Sequence, residues 1–288
     1  MDAAMTNVGD FAEEVALNLL RDEGAVDALL HSIYERRHYD FRRYARASLR
    51  RRLSLAMLEF RCESLHGLQA KVLTDDRAFA ALVRTLTVPV SEMFRDPPFF
   101  RAFREQVVPE LRTYPSLKLW VAGCSSGEEV YSLAIVLAEE GLLDRSLIYA
   151  TDINEDSLAR ARTGVYPIDR MKLFSDNYFK AGGKESLSRY YTAAYAGAAL
   201  ARSLTANVLF SDHSLATDSV FSEVEVVTCR NVMIYFDRSL QDRVLGLFAE
   251  ALPRRGFLGL GSKETVLFSS HATTFSELTV REKWFRRC

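Results

Sequence analysis

The chain has 288 residues, 48% of them hydrophobic and 26% charged, with a net charge of −1. That length and composition suit one large or two modest globular domains, and the near-neutral balance gives no global field toward nucleic acid or an anionic membrane. Four scattered cysteines (Cys62, Cys124, Cys229, Cys288) show neither metal-ligand spacing nor a dense disulfide pattern, so a reducing cytoplasm is the expected setting.

The first residues, Met1-Asp-Ala-Ala-Met-Thr-Asn7, lack the basic and apolar regions of a secretory signal. No apolar run reaches the ~18 residues of a membrane span. Residues 10 to 85 show almost no strand-like alternation and read as several helices, with Gly24 and Gly67 as breaks. A connector over 86–116 is rich in proline and holds a helix between Pro98 and Arg112. From 117 onward strands alternate with helices: strand 117–123, helix 128–140, strand 146–152, helix 155–163. Such alternation implies a parallel α/β sheet. Gly164 to Ala206, rich in tyrosine and small residues, interrupts it. The pattern resumes with strands 206–211 and 224–229, helix 238–252 and strand 256–261, and an antiparallel pair from Phe275–Val280 and Lys283–Arg287 closes the sheet.

The N-terminal part carries a local charge anomaly. Between residues 31 and 63 nine arginines face four acids, a local balance of +5. Arg43, Arg46 and Arg50 share a face at helical spacing. Three readings compete: a solvated surface whose arginines find acids on the other domain, phosphate contacts to nucleic acid, and docking of an acidic protein helix. Aromatic residues are not interleaved as a single-strand platform needs, which disfavours nucleic acid.

The most informative stretch is Trp120-Val-Ala-Gly-Cys-Ser-Ser-Gly-Glu-Glu-Val-Tyr131. An apolar strand runs into a turn containing Gly123 and Gly127, which opens onto a helix. Glycines there let the backbone approach a ligand closely. Glu128 and Glu129 at the helix start would repel a pyrophosphate, although helix N-termini otherwise suit anions. They suit a ligand with positive charge, such as the sulfonium and ammonium of S-adenosylmethionine. Acids also favour first helical turns for dipole reasons alone. The strand Ser146–Asp152 ends in a carboxylate 25 residues after Gly127, placed to accept the ribose hydroxyls of an adenine nucleoside. Asp152 would equally serve as a helix N-cap.

A third element decides the family. Val224-Glu-Val-Val-Thr-Cys-Arg-Asn-Val-Met-Ile-Tyr-Phe236, with Ser91-Glu-Met-Phe-Arg-Asp96 upstream and Gly261-Ser-Lys-Glu264 downstream, resembles the CheR-type chemotaxis methyltransferases. The resemblance spans about residues 80 to 265. It implies a Rossmann-like methyltransferase sheet, an N-terminal all-helical domain (1–85) and a connector (86–116) contributing to the cofactor site. The catalytic domain (117–288) would carry a small antiparallel β-subdomain at about 165–210, with Tyr190 to Leu209 supplying its strands.

The activity implied is methyl transfer from S-adenosylmethionine to glutamate side chains of a methyl-accepting chemoreceptor or sensor, releasing S-adenosylhomocysteine. The acceptor would present an acidic glutamate-bearing helix to Arg43, Arg46 and Arg50, so a membrane enters only through the receptor and no nucleic acid is expected. By the same resemblance Arg95 and Tyr235 flank the transferred methyl and orient the acceptor. Ser91 lies near the cofactor, Glu129 binds its methionine end and Asp152 its ribose, while Gly123, Ser214, Leu215, Arg230 and Asn231 line the rest. Pro89 and Ser214 stand where well-known relatives carry Asn, which removes or moves one cofactor contact. No metal is implied, and His31, His38, His66, His213 and His271 show no pairing that suggests a metal or a base. A glutamate is ionised at neutral pH, its ordinary pKa being near 4.3, so its methylation needs no general base. Two alternatives stay open: an S-adenosylmethionine enzyme of another substrate class, and a non-catalytic module that keeps the cofactor pocket.

Overall fold

The computed structural model describes residues 22–288, which form two compact units. One contains the described residues through Val88 together with 235–240; the other contains 89–234 and 241–288.

The first unit is helical: α1 (Glu23–Arg37), α2 (Arg46–Phe60), α3 (Leu65–Thr74) and α4 (Asp76–Thr87). Their starts are set by short polar caps. Asp22, Ser64 and Asp75 each accept a backbone N–H of the first turn. Val26, Leu29, Leu30 and Ile33 of α1 recur at helical spacing and are fully buried, as are Leu53, Leu68 and Leu82 of the other helices. Gly24 and Gly67 lie inside the first turns of α1 and α3 rather than at breaks. The breaks instead fall at His38 and Arg61, which end α1 and α2 in the left-handed conformation. The six-residue return 235–240 joins this unit through its main chain, where Ala45 N–H donates to Tyr235 O at 2.8 Å and Asp237 N–H to Arg43 O at 2.9 Å. Phe236 packs its ring edge-on against Tyr44.

The second unit is built on a seven-stranded sheet. Its strands are β1 (Leu117–Ala122), β2 (Ser146–Asp152), β6 (Val208–Asp212), β7 (Val226–Cys229), β8 (Phe257–Leu260), β9 (Phe275–Thr279) and β10 (Trp284–Arg287). They lie in the order β6-β2-β1-β7-β8-β10-β9. The first five run parallel and β10 is antiparallel to both its neighbours. Parallel strands need both faces covered, which is why β1, β7 and β8 read as nearly unbroken apolar runs. Helices α7 (Glu128–Glu139), α8 (Glu155–Thr163) and α10 (Arg238–Ala251) return the chain between strands. The order reverses between β1 and β7, so the carboxyl ends of those strands form the switch-point crevice where doubly wound sheets bind ligands.

A second sheet of three strands, β3 (Val165–Pro167), β4 (Tyr191–Ala194) and β5 (Gly197–Leu200), is antiparallel in the order β3-β5-β4. Tyr190 to Leu209 supplies only two of these strands, and Val208 and Leu209 instead join the large sheet as β6. The third strand comes from just after α8, and α9 (Met171–Lys180) fills the chain between β3 and β4. The connector helix runs as α5 (Pro97–Ala102), a π-helical turn over Phe103–Val107, and α6 (Val108–Leu111).

Candidate functional site

At the end of β1, Gly123 and Gly127 have φ of +75° and +93°. A Cβ on Gly123 would lie 2.4 Å from Val232 Cγ2, and one on Gly127 would lie 2.8 Å from Ala161 Cβ. Both positions therefore require glycine on conformational and on steric grounds. The turn is fastened to β2, since the Gly123 and Cys124 N–H groups both donate to Thr151 O.

Asp152, the last residue of β2, accepts the Ser125 N–H at 2.8 Å on one carboxylate oxygen and the Asn154 N–H at 2.9 Å on the other. The carboxylate keeps acceptor capacity beyond these bonds for a ribose hydroxyl. Burial pushes this carboxyl above its ordinary value, against the pull of the backbone N–H groups of Asn154, Ser125 and Ile153.

The two acids opening α7 behave differently from one another. Glu128 is buried; its carboxylate accepts from Ser126 Oγ at 2.8 Å and lies 3.5 Å from the Arg170 guanidinium. Glu129 accepts from Arg230 Nη1 at 3.0 Å through Oε2, while its Oε1 is buried with no hydrogen-bond partner among the described residues. An unpartnered buried carboxylate oxygen is costly unless a ligand satisfies it. An ammonium group would do so.

Arg230, its side chain only 2% exposed, is a hub. Besides Glu129 it donates to Arg95 O at 2.7 Å and Asp96 Oδ2 at 2.9 Å, and it stacks over Phe99 with 4.0 Å to the ring centroid. Two carboxylates thus share one guanidinium, Glu129 from a largely buried position and Asp96 from a half-exposed one, which leaves a surplus of negative charge around it. That polarity suits a cationic ligand.

Asn231 sits at φ +60°, and Glu264 reaches over from the loop after β8 to hold it. The buried Glu264 carboxylate accepts from Asn231 N and Val232 N, each at 3.0 Å, and from Gly261 N at 2.6 Å. The requirement for Gly261 follows, because a Cβ there would meet Glu264 Oε2 at 2.6 Å. Ser214 donates its N–H to Asp218 at 2.9 Å and Leu215 is buried beside it. Ser91 contributes its carbonyl, which takes Arg170 Nη2 at 2.7 Å.

Arg95 lies on a turn flanked by two left-handed residues, Phe94 (φ +53°) and Asp96 (φ +56°). Among the described residues its guanidinium makes one long hydrogen bond, to Val90 O at 3.5 Å. Tyr235 belongs to the helical unit, so the structure assigns the expected pair Arg95 and Tyr235 to different units. Within the helical unit Arg46 pairs with Asp27 and Arg50 with Glu23, both acids of α1, and Arg43 lies 3.9 Å from Asp237. The arginines of this face thus find their acids inside their own unit.

The residues in the second unit fit S-adenosylmethionine. The buried Glu129 Oε1 suits a cation, Asp152 keeps acceptor capacity for a ribose, and the Gly123 turn leaves no room for a side chain. Sequence reading passed over Arg170, Asp96 and the clamping role of Glu264. Asp96 and Glu264 lay inside quoted motifs, whereas Arg170 had no local signal at all.

Residues 89–283 match the model of the CheR methyltransferase S-adenosylmethionine-binding domain, and residues 25–87 match that of the CheR all-alpha domain. The chain belongs to the CheR methyltransferase family. It is 55% identical over 259 residues to the putative methyltransferase Cher3 of Pseudomonas putida, covering 90% of this chain and 95% of that one. It is 32% identical to the chemotaxis protein methyltransferase of Salmonella typhimurium, over 70% of this chain and 66% of that one. With chemotaxis protein methyltransferase 2 of Pseudomonas aeruginosa the identity is 34%, over 66% and 68%. The expected cofactor, S-adenosylmethionine, and the expected enzyme class are those of this CheR family. Among the described residues, no cluster of His, Cys, Asp or Glu could hold a metal ion, and no helix is long and apolar enough to cross a membrane.

Proposed function

We propose that this CheR-family methyltransferase esterifies glutamate side chains on the acidic helix of a chemoreceptor-type protein, using S-adenosylmethionine. The observation that carries this reading is the Arg230 hub. One guanidinium joins Glu129, whose free Oε1 suits the cofactor's ammonium, to the carbonyl of Arg95, whose own guanidinium is nearly unengaged. Donor and acceptor ends of the reaction are thereby tied to a single buried group.

When bound, the cofactor supplies an electrophilic sulfonium methyl. Glu129 and Asp152 hold its two ends, and Ser91, Gly123, Ser214, Leu215, Arg230 and Asn231 shape the rest. Arg95 orients the acceptor carboxylate, which a planar guanidinium grips in both distance and direction. Tyr235 is assigned to the acceptor with it, on the family resemblance. Orientation of this kind can account for roughly 7–11 kcal/mol of a barrier. Charge is neutralised as the methyl moves, so one arginine is useful and a cage of cations would favour the ground state. Proline at 89 and serine at 214 lower cofactor affinity in this reading without removing the acids that anchor it.

The all-helical part (1–85) docks the acceptor, the connector (86–116) completes the cofactor site, and 117–288 performs the transfer. Arg43, with 65% of its side chain exposed and its acid at the longer distance of 3.9 Å, is the most accessible cation of the docking face, Arg46 and Arg50 being 40% and 32% exposed. The setting is cytoplasmic, in keeping with four free thiols.

The test is transfer of label from methyl-tritiated S-adenosylmethionine to receptor-bearing membranes of the host cell. Base-labile label on the receptor band supports a glutamate ester; base-stable label, or label in nucleic acid, rejects it. A variant with Arg43, Arg46 and Arg50 changed to Glu should raise the apparent KM for the membranes while S-adenosylhomocysteine affinity stays constant. Unchanged kinetics would remove the docking role.

A further inference from the structure

The turn that carries Arg95 is held by side chains from well outside it. Left-handed conformations at Phe94 and Asp96 are resisted by L-residues, and two such residues within one turn persist only if the surroundings over-determine them. The surroundings do so here. Asn177 of α9 donates Nδ2–H to Met93 O at 3.2 Å, and Ser132 of α7 accepts the Phe94 N–H at 2.8 Å. The Phe94 ring, fully buried, packs edge-on between Phe100 and Tyr178, each 5.2 Å away. Arg170, just before α9, takes Ser91 O. Among the described residues no side chain pairs with the Arg95 guanidinium, so the backbone of this turn sets its starting direction.

We propose that Asn177 is a positioning residue for methyl transfer: its buried amide fixes the Met93–Asp96 turn and through it the direction of the Arg95 guanidinium. This rests on the reading of Arg95 as the acceptor-orienting group. Because α9 lies between β3 and β4, the inserted segment that forms the small sheet also sets the geometry of the acceptor site.

The experiment uses the full chain with Asn177→Leu, which keeps the volume and removes the donor. Amide hydrogen exchange at 93–96 should rise roughly tenfold or more as the turn opens locally. S-adenosylhomocysteine affinity should stay within about twofold, and kcat/KM for methylation of receptor-bearing membranes should fall about 10- to 100-fold, the cost of a misplaced reacting group. Combined with Arg95→Lys, the double variant should lose little beyond Arg95→Lys alone, because both act through one guanidinium. Ser132→Ala releases the same turn from its other side and should give the same kinetic pattern, which keeps the question decidable if Asn177→Leu does not fold. Unchanged exchange at 93–96, or losses that multiply in the double variant, would overturn the proposal. Full activity of Arg95→Lys would instead overturn the acceptor reading on which it rests.

Discussion

Asp152 is held between opposing forces, and its pH behaviour follows from their balance. Burial raises its pKa above 3.8 while three backbone N–H groups pull it down. A carboxyl raised by folding binds its proton more tightly in the folded chain. Its contribution to folding therefore favours acid, and the advantage is lost as pH rises from 3.8 through the raised value. Above that value the carboxylate is a standing cost to the unliganded fold. On the proposed reading of Asp152 as the ribose ligand, cofactor binding runs the other way, because ribose hydroxyls donate to the ionised form. Calorimetry with S-adenosylhomocysteine should show affinity falling on acidification through a group titrating above 3.8. Asp152→Asn should abolish that limb and weaken binding at neutral pH by about 1.5–3 kcal/mol, the worth of a hydrogen bond to a charged group. A limb that persists unchanged in the variant would take Asp152 out of the ribose site. Asp40 has the opposite sign. The Arg42 guanidinium and N–H hold its pKa below 3.8, so its stabilisation is present above that value and lost as pH falls through the folded pKa.

Among the elements, the connector helix 97–111 shows how one proline and one buried arginine define a packing surface. Pro109 lacks an N–H and its ring crowds the carbonyl four residues back. The preceding turn widens accordingly, with Val108 N–H reaching Phe103 O. Arg104 projects from the widened turn onto the C-terminal end of α7, where it pairs with Glu139 and, at 3.1 Å, with Glu140. All three side chains are buried. Tyr178 donates its hydroxyl to Glu139, as does Tyr190 at 3.1 Å. Burial, reinforced by the bond to Glu139, pushes the Tyr178 phenol up to about 12, so it stays a donor throughout the physiological range. Arg104→Met would leave two buried carboxylates short of their cation, and denaturant unfolding should show a loss of about 3–5 kcal/mol. A loss under about 1 kcal/mol would mean that Lys184 and Arg112, which also reach Glu140 at 2.8 and 2.6 Å, suffice without it.

At the scale of the whole molecule, the chain order and the units do not coincide. Residues 235–240 lie within the stretch matched to the S-adenosylmethionine-binding domain of the family, yet they belong to the helical unit. Phe236→Ala should therefore destabilise the helical unit, by about 3–5 kcal/mol for a buried aromatic. Hydrogen exchange should rise across residues 41–57 while β1 and β2 keep their protection. The reverse pattern would show that Phe236 supports the sheet instead.

Sequence alone determined the sheet, the helices that return it and the ligand turn, because each has a local cause. Apolar runs, helical periodicity and glycine at positive φ are written within a few residues of where they act, and β2 and α8 fall on the boundaries read from the chain. Strand β3, three residues long with a proline, has too little pattern to be read, and α9 was hidden in a stretch whose tyrosines obscured its periodicity. Partner choice was decided only by tertiary structure. Charge alone did not separate Glu128 from Glu129, and only the family resemblance singled out the second; packing gives the first to Arg170 and leaves the second with one oxygen unpaired among the described residues. It offered Arg43, Arg46 and Arg50 as one basic face, while Asp27 and Glu23 on α1, outside the stretch that looked basic, neutralise two of them. Contacts such as Arg230 to Glu129, 101 residues apart, are selected by burial, where an unpaired charge is costly wherever its partner lies in the chain.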